Sequence, residues 1–333
     1  MELKNNGEQM NEFPGGVSHT MFALVLAMLV APVHSASAQD WPARPVRIVA
    51  PFAPGGSADT LGRVVAEKLT AKFKQNFVVD NRAGAGGVVG SDLVAGSAPD
   101  GYTLLVSGIA SHAIAPAMSK VSFDPVKSFT HIALFGGPPI IVVVHPAVEA
   151  KTLAQFVALS KAAPQGISYG SPGPGTNGHL VAELFRMRSG ANLAHVPYKG
   201  AALAMADLAG AHIPSSFNTL STAAVHVKSG RARALAHSAA RRVTAFPDVP
   251  TFVESGYKDL VAITWFSLSG PAGIPPAIVK QLNAAVREAL AAPELRERLA
   301  GEGIESNDLD AGGFTRFVSA EVARWAPIAR AAK

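Results

Sequence analysis

The chain has 333 residues, 48% of them apolar and 16% charged, with a formal net charge of +5. That length supports two domains with their own cores, and the composition excludes a disordered or nucleic-acid-coating protein. Cysteine is absent, which excludes disulfides, thiol catalysis, zinc–thiolate sites and a lipid anchor on an N-terminal Cys.

The first feature along the chain is the apolar run 21–30, MFALVLAMLV, followed by the small-residue site Ala36-Ser37-Ala38 before Gln39. This pattern predicts an export signal over 1–38, cleaved after Ala38, and a periplasmic product. Its n-region departs from the basic norm, because residues 1–20 hold Lys4 alone against Glu2, Glu8 and Glu12. The leader therefore carries −2, and its removal leaves a mature chain of +7, a mild positive field that attracts small anions. Basic residues are scattered apart from Arg231/Arg233 and Arg241-Arg242, with no basic stripe interleaved with aromatics, so no nucleic-acid partner is expected. No apolar run after the leader approaches the roughly 20 residues of a membrane span, so no insertion is expected after cleavage.

From residue 44 short β-branched runs alternate with amphipathic segments of helix length. Strands are expected at 46–52, 77–80, 103–107, 140–144, 167–169, 193–196, 213–217, 232–236 and 263–269. Helices are expected at 58–73, 153–163, 178–187, 201–208, 222–227, 275–291 and 314–332. In the first helix Leu61, Val64, Val65, Leu69 and Phe73 fall on one face at 3.6-residue spacing. The alternation predicts a parallel α/β fold. The last two helices have no strand of their own and should pack back on an earlier sheet. This predicts one lobe from 39–139 plus 261–333 and a second from 140–260, with a ligand cleft between them.

Two glycine-rich turns stand between a strand and a helix: Pro51-Phe52-Ala53-Pro54-Gly55-Gly56-Ser57-Ala58-Asp59 and Ser171-Pro172-Gly173-Pro174-Gly175-Thr176-Asn177-Gly178-His179. Such a turn leaves the first helical N–H groups unbonded, at the positive end of the helix dipole, as an anion site. One falls in each expected lobe, at the carboxyl end of a strand, where open α/β sheets hold ligands. Neither turn contains Lys or Arg, so they read as paired amide cradles for the two ends of one small anion. Gly55, Gly56, Ser57 and Ala58 are the contacts expected of the first turn, with Ala53 beside them. Asp59 is either a plain helix cap or a contact. Ser171, Gly175, Thr176, Gly178 and His179 belong to the second turn, and Ser107 and Ser111 join the candidate set. Phe52, Tyr198, Phe217 and Trp265 are candidate apolar walls.

Other chemistries find less support. Ser171 and His179 suggest a nucleophile and base, but the chain has no G-x-S-x-G elbow and no acid placed to orient the imidazole. Gly84-Ala85-Gly86-Gly87-Val88-Val89-Gly90 is spaced G-x-G-x-x-x-G with no acid about 20 residues on, so it reads as a turn with close helix packing rather than a dinucleotide loop. The ten histidines show no metal-ligand spacing. Neither a metal nor a cofactor is expected.

With these motifs stand Asn81-Arg82-x-Gly84-Ala85-Gly86-Gly87, Ala98-Pro99-Asp100-Gly101-Tyr102-Thr103-Leu104-Leu105 and His195-Val196-Pro197-Tyr198-Lys199-Gly200. Phe246-Pro247-Asp248-Val249-Pro250-Thr251 and Pro271-Ala272-Gly273-Ile274-Pro275-Pro276 complete the set. Together, in order and over nearly the whole mature chain, they resemble the Bug-type receptors, the solute-binding components of tripartite tricarboxylate transporters. The resemblance implies a two-lobed Venus-flytrap fold of the type II kind, a monomer that binds a small organic carboxylate, dicarboxylate or aromatic, and docking to membrane permease subunits. It implies no enzymatic activity. A periplasmic receptor feeding a sensor kinase is the alternative within that class, and a secreted serine hydrolase the alternative outside it. One departure concerns the ligand's far end. Where relatives run G-x-[VI]-D-x-x-F-D, this chain has Gly210-Ala211-His212-Ile213-Pro214-Ser215-Ser216-Phe217-Asn218, so Pro214 and Asn218 replace the two acids. If Asn218 faces the cleft, a dicarboxylate or an uncharged tail is favoured over an amino acid.

Overall fold

The structure, a computed structural model, describes Met1, Glu2, 41–304 and 308–331. The expected signal segment and its cleavage site lie outside the described residues. Everything below belongs to the compact unit Trp41–Lys333.

The chain enters through β1 (Val46–Ala50), the first glycine turn and helix α1 (Ser57–Phe73). Leu61, Val64, Val65 and Leu69 bury the inner face of α1, and Lys74 ends it in the left-handed conformation, its N–H bonded to the Thr70 carbonyl. β2 (Phe77–Asn81), helix α2 (Val88–Ala95) and β3 (Thr103–Gly108) follow. A π-helical turn, Ala110–Ile114, runs into the short α3 (Ala115–Met118), and β4 (Phe129–Gly136) completes this first half.

The middle of the chain forms β5 (Ile140–Val144), α4 (Leu153–Ala162), β6 (Ile167–Ser171), α5 (Asn177–Ser189) and β7 (Leu193–Pro197). α6 (Ala201–Ala209), β8 (Ser215–Thr219), α7 (Leu220–Lys228) and β9 (Arg233–His237) continue it. The chain returns through β10 (Phe266–Pro271) and ends in α8 (Pro276–Ala291), α9 (Pro293–Gly301) and α10 (Ala311–Ala331).

Among the described residues these strands make two five-stranded sheets, ordered β2-β1-β3-β10-β4 and β7-β6-β8-β5-β9. The expectation of parallel sheets is corrected. β10 runs antiparallel to β3 and β4, and β5 antiparallel to β8 and β9. Each of these two strands is the first one laid down after the chain crosses from one sheet to the other. It therefore arrives from the cleft side, against the direction of the βαβ units already in place.

The crossings run side by side. Thr264 N–H donates to the Pro138 carbonyl at 2.8 Å, Pro139 pairs with Ile263, and Ile109 N–H donates to the Trp265 carbonyl. Gly137 is required here, because a Cβ on it would sit 1.8 Å from the Thr264 carbonyl oxygen. α10 packs on β4 and the π-helical turn. Its Glu321 accepts from the indole N–H of Trp265 at 2.9 Å and of Trp325 at 3.0 Å, which ties the helix to the returning strand.

The first core is Val46, Ile48, Leu104, Val106 and Leu268 under α1 and α8; Tyr169, Phe185, Phe217 and Val142 anchor the second. Each such large apolar side chain contributes roughly 1.5–3 kcal/mol when fully buried.

Candidate ligand-binding site

Helices α1 and α5 start where glycines let the chain turn without a side chain in the way. Gly55 (φ +84°) precedes the α1 cap Gly56, and Gly175 (φ +72°) precedes the α5 cap Thr176. Thr176 caps conventionally, its Oγ1 accepting from His179 N–H at 3.4 Å while donating to the Gly173 carbonyl at 2.7 Å. Gly56 has no side chain to cap with, so the first N–H groups of α1 keep no local acceptor.

Both helix starts open on one cavity of about 40 Å³, lined by Gly56, Ser57 and Ala58 from α1 and by Thr176, Asn177 and Gly178 from α5. Phe52, Val106, Ile140, Pro172 and Phe266 supply apolar wall, and Thr219 and Thr264 add hydroxyls. No lining residue carries a charge. Gly178 has to be glycine, since a Cβ there would lie 2.6 Å from the Phe217 carbonyl.

The sheets meet closely around this cavity. Ala53 N–H donates to the Lys199 carbonyl at 3.2 Å. Ser57 Oγ shares hydrogen bonds with the hydroxyls of Thr219 (2.7 Å), Ser221 (2.6 Å) and Thr222 (3.1 Å). Gly86, at φ +65°, lies so near the second glycine turn that an added Cβ would be 2.5 Å from the Pro174 carbonyl oxygen. As it stands the cavity has room for roughly three waters, and the two sheets are in direct hydrogen-bonded contact around it.

Of the sequence candidates, Phe52, Gly56, Ser57, Ala58, Thr176 and Gly178 line the cavity. Ala53 and Gly175 lie instead in the contacts between the halves, Gly175 against Ala115. Gly55 N–H turns away to Asp59 Oδ2. Asp59 is a structural anchor holding Gly55, Arg63 and Asn81. Burial raises its pKa, but hydrogen bonds from Arg63, Gly55 and Asn81 together hold it below the usual carboxylate range.

Ser171 bonds His195 Nε2 at 2.6 Å and accepts from Gly173 N–H at 3.1 Å. His179 stacks on His195 at 4.3 Å instead of meeting Ser171. Burial lowers the pKa of both rings, that of His195 to about 4, where neighbouring His179 adds to the effect and Glu183 opposes it. An imidazole so weakly basic is a poor general base.

Five further candidates lie outside the cavity wall. Ser107 bonds Ser267 and Ser269 inside the first sheet, and Ser111 bonds the Gly108 carbonyl and His112. Phe217 is fully buried against Tyr169 and Phe185, and Trp265 against Phe314 and Phe317. Tyr198 donates to Asp207 at 2.6 Å, outside the cavity.

Asn218 also faces inward: its Nδ2 donates to the Ala201 carbonyl at 3.1 Å and its Oδ1 accepts from Thr219 N–H at 3.2 Å. Asn218→Asp should therefore act on stability, because it sets a buried carboxylate oxygen against a carbonyl oxygen. The expected Tm loss is roughly 3–10 °C. Thermal unfolding checks it, and a wild-type Tm would show that the side chain is not so held.

Sequence reading missed Asn177, Thr219 and Thr264 in the cavity wall. Asn177 lies within the second glycine turn; Thr264 sits on the returning crossing, which only the fold brings here.

The comparisons with known proteins follow this geometry. Residues 61–333 match the model of the tripartite tricarboxylate transporter family receptor. The chain belongs to this family, the Bug-type periplasmic solute-binding receptors. Protein BugT of Bordetella pertussis is 37% identical over 92% of this chain and 94% of its own. An R. palustris protein solved with adipate superposes with a TM-score of 0.85 at 31% identity, over 88% of this chain and 98% of that one. MatC from Rhodopseudomonas palustris with bound malate gives 0.83 at 28% identity, over 87% and 100%. The receptor fold is thus two-lobed and α/β. No helix among the described residues is long and apolar enough to cross a membrane.

Proposed function

We propose that this receptor captures a small organic carboxylate between its lobes and delivers it to the membrane permease of a tripartite tricarboxylate-type transporter. The observation that carries the reading is the convergence of the α1 and α5 N-termini, one from each sheet, on a single cavity without a charged side chain. Oriented amides at the positive ends of two helix dipoles favour an anion, and a carboxylate supplies four lone-pair directions to meet them. Relatives solved with adipate and malate support this ligand class.

The lobes in this reading are 39–139 plus 261–333 and 140–260, with the paired crossings as hinge. The ligand binds the closed form better and shifts the population towards it. In this reading the leader directs export and is cleaved after about Ala38, and a mature mass beginning at Gln39 in the periplasmic fraction checks it; an uncleaved cytoplasmic product contradicts it. Ser171, held by His195 whose ring is a poor base, supports binding over hydrolysis.

Titration calorimetry with C3–C8 mono- and dicarboxylates tests the reading. At least one acid is expected to bind one-to-one and to be recovered unchanged. Binding by none, or its chemical conversion, overturns the proposal.

A further inference from the structure

Ser57, the first residue of α1, is buried in the cavity wall, yet its hydroxyl is engaged by the other sheet. Thr219, Ser221 and Thr222, around the start of α7, stand 2.7, 2.6 and 3.1 Å from its Oγ. Thr219 Oγ1 donates in turn to Thr222 Oγ1 at 2.9 Å. A hydroxyl has one proton and two lone pairs. With Thr219 donating to Thr222, the remaining protons run from Thr222 to Ser57, from Ser57 to Thr219 and from Ser221 to Ser57. Every bond then has its proton, and Ser57 donates once and accepts twice. Running the Ser57–Thr219–Thr222 triangle in the opposite sense gives the same count. The Ser57 hydroxyl is therefore spent, and only its backbone N–H is left for an anion.

The position of this knot gives it a use. Beside the cavity a groove of about 610 Å³ runs between α1 and α7, with Thr60, Ser221, Thr222 and Lys228 in its walls. Ser57 lines both spaces, whereas Thr219 faces the cavity and Ser221 and Thr222 face the groove. The four hydroxyls form the partition between them. Because the partners come from opposite sheets, the partition cannot survive separation of the two halves.

We propose that the hydroxyl knot is the gate of the ligand cavity, with Ser57 as a positioning residue that holds the halves together instead of gripping the carboxylate through its side chain. This rests on the reading that a ligand is captured between the lobes, and deepens it. Ser221, outside the cavity wall, then sets affinity without touching the ligand. Weakening the knot lowers the population of the form that holds ligand and speeds release.

The experiment is a double-mutant cycle on Ser57→Ala and Ser221→Ala. It uses the two acids of the C3–C8 series that wild type binds most tightly, with Kd from calorimetry and koff from stopped flow. Ser221→Ala removes one neutral hydrogen bond and is expected to raise Kd about two- to tenfold, mostly in koff and equally for both acids. Ser57→Ala removes all the cross-sheet bonds of the knot and should cost more, about tenfold or above. In the Ser57→Ala background Ser221→Ala should have no further effect, since its partner is already gone. Loss of affinity in Ser57→Ala with Ser221→Ala like wild type would make Ser57 a ligand contact and overturn the inference. Additive effects, losses that differ between the acids, or wild-type binding by both variants overturn it too, and leave the carboxylate reading intact. Failure of every acid to bind wild type overturns both readings.

Discussion

Gly86→Ala is expected to weaken ligand binding about tenfold to hundredfold while leaving the protein folded. The added Cβ would stand 2.5 Å from the Pro174 carbonyl oxygen, across the seam between the glycine-rich segment 84–90 and the second glycine turn. That oxygen is backbone and cannot rotate aside, so the closed form must spread by most of an ångström. Overpacking of this kind costs about 1–3 kcal/mol. When the lobes part, the contact disappears, so the cost falls on the closed form alone and lowers apparent affinity by the fall in its population. The left-handed backbone at Gly86 adds strain in both forms. Gly230→Ala supplies the control, since Gly230 has a similar φ of +70° with nothing within 4 Å of its added Cβ. Calorimetry on both variants separates the effects. Equal affinities for Gly86→Ala and Gly230→Ala would show that the seam does not close on ligand.

Acidification is expected to destabilise the receptor well before its carboxylates titrate. His131 is buried between β10 and α10, bonded through Nδ1 to Ser269 at 3.2 Å and edge-on to Phe314, with Nε2 unpartnered. Burial depresses its pKa to about 4, with the nearby Val126 backbone acting in the opposite direction. Its neighbour His112 is likewise held well below the usual histidine value by burial and then by repulsion from His131. Between the ordinary histidine value near 6.5 and about 4 the unfolded chain binds protons that the native one does not, so stability rises with pH there and is lost as pH falls. His131 alone accounts for about 3 kcal/mol of that loss. Urea unfolding at pH 7.5 and 4.5 measures it. His131→Gln should flatten the dependence; an unchanged slope would place the acid sensitivity elsewhere.

Much of this fold is written in local pattern. β1, β5 and α1 carry runs and stripes whose burial needs no tertiary information, and their bounds differ from expectation by a residue or two. β4 escaped because its FTHIALFG is buried almost throughout, which erases alternation, and because His131 interrupts the apolar run. The π-helical turn Ala110–Ile114 depends on packing under α10, and no spacing announces it. Strand direction is likewise silent, since β5 and β10 read the same whichever way they run.

At the site the legible part was backbone. Gly55, Gly175 and Gly178 mark places where a side chain cannot fit or φ is positive, and such demands show in residue type. The facing of Phe217 and Asn218 was not legible, because their strand is buried on both sides and neither face is marked polar.

The most direct measurement is a crystal structure of the receptor with the carboxylate that binds it most tightly. The ligand's carboxylate oxygens are expected ~2.7–3.2 Å from main-chain nitrogens at the starts of both α1 and α5, inside the cavity bounded by Phe52 and Phe266. A ligand bound elsewhere, or held by Lys or Arg side chains with those amides unengaged, would contradict the account.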